Sequence, residues 1–481
     1  MIDPLWLLLV GMVVVLGGIL FLHLHPFLAL ILGALVVASL TSSTSLRQFA
    51  QSQKYSAEQT QALLHKTVGE RVAGEFGRTV TKIGILIAMA SIIGKCLLDS
   101  GAAERIVRSV LRLSGEKGTP LAFLSSAFVL GIPVFFDTVF YLMLPLGKAM
   151  GIRTGRNYSL YIMAIVAGAT MAHSLVPPTP GPLFVAGELS VNLGLMILGG
   201  IIVGSLTVMV GYGYAVWANR RWLIPLRDTA DTSAQELAAL AQKRVADLPS
   251  LWLSLLPIVL PVLLIAGNTL ANLAVHVPPS GSGVGGLRRF RGGLHQLGNP
   301  DVALSIAAAI ALLTLAWQNR RSRKALAPSI QSALSSGGLI ILITSAGGAF
   351  GGILQQTGIG SRIEALATAH QIAVLPLAFL ITAVVRTAQG SATVAMITAI
   401  GITGGLAAGG QLGFHPVYLA LAIGCGSKLV QWMNDSGFWL ICRMSGLKES
   451  ETLKTASTMM ALMGTAGLFI VMLLARLFPL V

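Results

Sequence analysis

The chain has 481 residues, of which 54% are hydrophobic and only 11% charged, with a mean hydropathy of +0.79. A soluble protein carries roughly a quarter charged residues, so a water-soluble globular enzyme is excluded and the surface must face lipid. The net charge of +15 does not point to nucleic acid, because the Lys and Arg fall in short clusters between apolar runs, as in loops beside a membrane.

Apolar runs recur along the whole length and predict an all-α, polytopic membrane protein of about 12–14 spanning or re-entrant helices. In chain order they fall near 4–22, 26–41, 80–98, 119–147, 158–176, 190–217, 251–275, 301–317, 335–355, 372–386, 391–409, 415–433 and 455–479. The first has Asp3 and no basic leader, so it reads as a retained membrane helix. Residues 42–78 read as a polar connection holding a short amphipathic helix, and 218–250 as a central cytoplasmic linker. Residues 318–328 form a basic loop. Cys96, Cys425 and Cys442 sit in or beside apolar runs with no metal-ligand spacing, so no metal or cofactor is expected.

The chain also repeats itself. "GILIAMASIIGKCLLDSGAAERI" (84–106) is echoed by "LIILITSAGGAFGGILQQTGIGSRI" (339–363), and "LAFL" at 121–124 returns at 377–380. "YSLYIMAIVAGATMAHSLVPPTPGP" (158–182) parallels "PVYLALAIGCGSKLVQWMNDSGF" (416–438). This divides the chain into N-terminal helices and a connection (1–78), repeat one (79–217), the linker (218–250), connecting scaffold helices (251–334) and repeat two (335–481). An inverted relation is favoured over a parallel one. Duplicated halves with interrupted helices mark secondary transporters, whose substrate site forms where the broken helices meet.

"GIPVFFDTVFYLMLPL", "HSLVPPTPGP", "RTAQGSATVAM" and "SKLVQWMNDSGFW" together resemble the gluconate permease family of proton symporters, over nearly the whole chain. The resemblance implies import of gluconate or a related sugar acid with a proton across the cytoplasmic membrane. A sodium-coupled carboxylate transporter and a D-serine/proton symporter are the alternatives. The partners implied are a small carboxylate, a proton and the bilayer, with no nucleic acid. Oligomeric state stays open, a homodimer being the arrangement considered. The Gly- and Arg-rich stretch 278–296 departs from the family pattern. An intramembrane enzyme loses support, because HExxH, GxSxG and the phosphate loop are all missing.

The interrupted helices carry the candidate site. Arg386 offers a planar fork suited to a substrate carboxylate, or else pairs with a protein carboxylate. Gln389, Ser391, Thr393, Asn434 and Thr179 are candidates for a polyol, and Gly390 permits the backbone break. Asp137 either carries the coupling proton or caps the half-helix starting at Thr138. Asp435 shares the proton, substrate and capping readings. His173 is either a proton relay or a packed core residue. Lys428 is read as supporting, paired with Asp435 or with substrate. Pro177 and Pro178 stop their helix. Ser100 and Thr357 stand at predicted hairpin tips, either touching ligand or forming ordinary turns. No catalytic residue is expected.

Overall fold

Helix starts in this chain are set by local capping. Asp3 Oδ1 accepts from Leu5 N at 2.9 Å and Pro4 follows at the first helical position, which opens α1 (Pro4–Leu20). Thr67 and Glu70 form a reciprocal capping box. That box starts α5 (Val68–Asp99) twelve residues before the apolar run predicted at 80–98, so the polar residues 68–79 are its first turns. The expected amphipathic helix within 42–78 is accordingly two short ones, α3 (Ser43–Ser52) and α4 (Ala57–His65). α3 follows α2 (Pro26–Leu40) across a 103° bend.

The computed structural model describes residues 3–222, 224–227, 248–274, 293, 295–318, 326–359, 374–408, 412–433 and 435–480. Most of the 218–250 linker, most of 278–296, most of the 318–328 loop and Asn434 lie outside them. The remaining helices are α6 (Ala102–Leu130), α7 (Phe136–Thr154), α8 (Tyr158–Leu175), α9 (Pro180–Glu188), α10 (Leu193–Arg221), α11 (Leu251–Ala274) and α12 (Pro300–Gln318). Then come α13 (Leu326–Gln356), α14 (Val374–Gln389), α15 (Ala392–Ala408), α16 (Val417–Gly426), α17 (Ser436–Ser445), α18 (Glu449–Thr452) and α19 (Thr458–Leu477). No strand is present among the described residues. Seven helical stretches there are long and apolar enough to cross a membrane, or eight if the bent α2–α3 pair is one span. α1, α14, α15 and α16 are apolar as well but shorter than these.

The element order recurs. α5, the α6–α7 pair broken at 131–135, the α8–α9 pair broken at 176–179 and α10 are followed later by α13, the α14–α15 pair broken at 390–391, the α16–α17 pair broken at 427–435, and α19. The two long helices α5 and α13 pack on each other more extensively than any other pair. α1, α2, α5 and α13 share a core of their own around Phe350, Val37 and Val15. The broken helices lie in the larger core, around Phe140, Tyr161 and Met196. Lipid-facing stripes run along α10 (Ile202, Leu206, Met209), α11 (Leu256, Val259, Leu263) and α19 (Phe469, Leu473), all exposed large apolar side chains.

Small residues let the broken helices touch. A side chain at Gly168 of α8 would overlap the Leu124 carbonyl of α6, and one at Gly426 of α16 would overlap the Phe379 carbonyl of α14. Leu124 and Phe379 lie in the two "LAFL" copies, so the same close approach is used in both halves. Gly426→Ala is therefore expected to destabilise the fold by about 1–3 kcal/mol through overpacking, read as a lowered melting temperature in detergent. A wild-type melt would show that α14 and α16 can move apart freely.

Candidate functional site

All four interruptions leave half-helix N-termini, and residues from each of these ends line one cavity of about 330 Å³. Phe135, Phe136 and Asp137 open α7, and Pro180 opens α9. Gly390, Ser391, Ala392, Thr393 and Val394 open α15, and Asp435, Ser436 and Gly437 open α17. A helix N-terminus presents unsatisfied N–H groups and the positive end of the helix dipole, so convergence of four favours an anion. The other walls come from Thr170 and His173 on α8, Ile340, Ile343 and Thr344 on α13, Met460 on α19, Arg386 at the end of α14, and Lys428 and Gln431 in the 427–435 break.

Arg386 is 4% exposed and its nitrogens are engaged by the protein. Nε donates to the Ser427 carbonyl at 3.1 Å, Nη1 donates to the Gly390 carbonyl, and Nη2 forms a salt bridge with Asp435 Oδ2. Gly390 adopts φ 77°, a left-handed conformation that aims its carbonyl back at the guanidinium and suits glycine. Asp435 is the N-cap of α17, its Oδ1 accepting from Gly437 N at 2.7 Å. The pair therefore ties the 390–391 break to the 427–435 break. Of the readings left open by the sequence, the structure shows Arg386 paired with a protein carboxylate, and that carboxylate is Asp435. Lys428 does not pair with Asp435 as expected. Its side chain lines the cavity, 2% exposed, with no ion pair to a described residue.

Asp137 does not cap a helix. Phe135 holds the N-cap position of α7 with no side-chain cap bond, and Asp137 stands in the first turn, exposed on the cavity wall, with no hydrogen bond to a described residue. His173 lines the same cavity, its ring edge-on to Phe135 at 5.9 Å and its Nδ1 buried without a partner. Ser391 Oγ accepts from Val394 N at 3.3 Å and Thr393 lies beside it, both on the cavity wall.

Other predicted residues fall elsewhere. Thr179 turns its hydroxyl into the break, donating to the Val176 carbonyl at 2.7 Å, and does not line the cavity. Gln389 is also absent from the wall, both its amide atoms being buried without partners. Pro177 and Pro178 line a small apolar crevice against α10 and α11, and Thr138 lines a side cleft with Lys95 and Ser336. Ser100 and Thr357 are buried turn residues with local hydrogen bonds and are not among the residues lining the cavity. The sequence reading passed over Gln431, which is 3% exposed with an unpartnered Oε1 on the cavity wall, and over Thr170 and Thr344. Gln431 could have been found from its place inside an interrupted helix. Thr344 lies within a regular helical run that carries no such signal.

The sequence matches the model of the GntP family permeases over residues 57–477. It is 32% identical over 476 residues to a gluconate permease of Pseudomonas aeruginosa, covering 98% of both chains. The chain belongs to the GntP permease family. Across 97% of its length it is also 29% identical to the Gnt-II system L-idonate transporter of Escherichia coli. Among solved structures this GntP-family chain resembles the Alcanivorax borkumensis YdaH transporter, with a TM-score of 0.52 at 15% identity over 88% of this chain and 90% of that one. It also resembles Neisseria gonorrhoeae MtrF, with a TM-score of 0.58 at 16% identity over 85% and 83%. At such identities the likeness is one of fold alone; that the chain is a multi-pass membrane permease and not an enzyme rests on its family.

Proposed function

We propose that this GntP-family permease carries gluconate or a closely related sugar acid, together with a proton, through the cavity between its broken helices. The observation that carries the reading is the convergence of four half-helix N-termini with Arg386 and Lys428 on one cavity, a setting for a single organic anion. Relatives whose names specify gluconate and L-idonate agree with it. Ser391, Thr393 and Gln431 face the space where the hydroxylated tail would lie. Asp137 is the cavity carboxyl with no hydrogen bond or ion pair among the described residues, which suits it to take up the coupling proton and so neutralise the loaded site. Asp435 is held by Arg386 and has a structural part. The two repeats, 79–217 and 335–481, would each supply broken helices to the one site, with 251–334 as scaffold between them.

Uptake of radiolabelled gluconate into cells lacking their own permease tests the reading. The expected result is concentrative uptake that a protonophore collapses and that is indifferent to replacing sodium. Uptake that follows sodium would move the coupling ion. Competition by D-serine but not by sugar acids would replace the substrate class.

A further inference from the structure

The cavity offers two cations to one carboxylate, and the two are not equivalent. The titratable groups on its wall are Asp137, His173, Arg386, Lys428 and Asp435. Arg386 is neutralised by Asp435 and also bonded to two carbonyls, so a ligand could use its fork only by dismantling the joint between two helix breaks. Lys428, next in sequence to Ser427, makes no ion pair in that joint. Its backbone N–H bonds the Cys425 carbonyl at 3.1 Å, just past the end of α16. Its stem packs against Gly464 of α19, where even a methyl group would stand 3.1 Å from the Lys428 Cβ. Its ammonium is given no carboxylate by the described residues, although the side chain is 98% buried. A buried ammonium without a counter-ion is costly unless a ligand supplies one.

We infer that Lys428 receives the substrate carboxylate, while the Arg386–Asp435 pair is a fixed clasp between the breaks. The inference rests on the sugar-acid reading of the cavity and narrows it. One ammonium neutralises one carboxylate, so the site takes monocarboxylates. A second carboxylate on the ligand would face Asp137 or its proton rather than a cation. Gln431, three residues on, supplies an unpartnered carbonyl oxygen for a hydroxyl of the same ligand.

The test is equilibrium binding of radiolabelled gluconate to the purified, reconstituted protein, competed by unlabelled gluconate and by gluconamide, which keeps every hydroxyl and lacks the charge. Wild type should prefer gluconate strongly. Lys428→Met should bind gluconate about 100-fold more weakly, as expected when one partner of a buried charged pair is removed, and should lose the preference over gluconamide. Lys428→Arg should restore part of it. Arg386→Lys should bind poorly in proportion to the protein that unfolds, with the preference intact in the folded remainder. Lys428→Met that keeps the preference, or Arg386→Lys that loses it while melting like wild type, overturns the assignment and leaves the sugar-acid reading standing. Wild-type protein that binds neither compound overturns both.

Discussion

Asp137→Asn is expected to abolish proton-driven accumulation of substrate while sparing exchange of labelled for unlabelled substrate. The amide has the shape of the carboxyl but cannot carry a proton, so a site that loads a proton with its anion would become a site that loads the anion alone. The position is suited to this. Asp137 lies in the first turn of α7 on the cavity wall, and no hydrogen bond from the described residues holds its carboxyl. Proteoliposomes with an imposed pH gradient give the measurement: accumulation ratio in one arm, counterflow in the other. Asp137→Asn that still concentrates substrate would remove Asp137 from coupling. His173→Gln in the same assay then decides whether the neighbouring imidazole carries the proton.

Breaking the Arg386–Asp435 pair from either side is expected to cost about 3–5 kcal/mol, because each single change leaves a buried charge uncompensated. Arg386→Met should strand Asp435, and Asp435→Leu should strand Arg386, each seen as a large drop in melting temperature in detergent. The double variant should recover much of the lost stability, since no lone charge remains, but not transport, since the two breaks are no longer tied. Arg386→Lys keeps a charge for Asp435 and cannot also reach the Ser427 and Gly390 carbonyls, so transport should fall severely. Single variants that melt like wild type would show that water reaches the pair freely.

Arg386, Asp137, Ser391, Thr393 and Asp435 were all legible in the sequence for one reason: polar residues inside apolar runs are costly at membrane depth and survive where a cavity or partner receives them. What each contacts was not legible. "RTAQGSATVAM" shows an arginine and a helix break but not that the arginine turns back onto Gly390 and across to Asp435, 49 residues away. Thr179 and Gln389 had the right chemistry and spacing, yet a hydroxyl beside a proline break can satisfy itself on the nearest carbonyl, as Thr179 does on Val176. Thr344 was missed because nothing in a regular helix marks which face meets a cavity.

The sequence by itself determined that this is a helical, polytopic membrane protein, that its order of elements recurs, and that several of its helices are interrupted. Those features are written in composition, hydropathy and repetition, and they follow from local rules: apolar length for spanning, capping residues for helix starts, Gly and Pro for interruptions. Tertiary structure alone decided that four half-helix N-termini open onto one cavity and that Asp435 takes Arg386. It also decided that Lys428 stands on the cavity wall with no ion pair to a carboxylate among the described residues. Those outcomes depend on which faces pack, and packing here is set by close approaches such as Gly168 on Leu124 and Gly426 on Phe379, between helices tens of residues apart. Two cations 42 positions apart look alike in a sequence; only the fold determines which one a neighbouring aspartate reaches first.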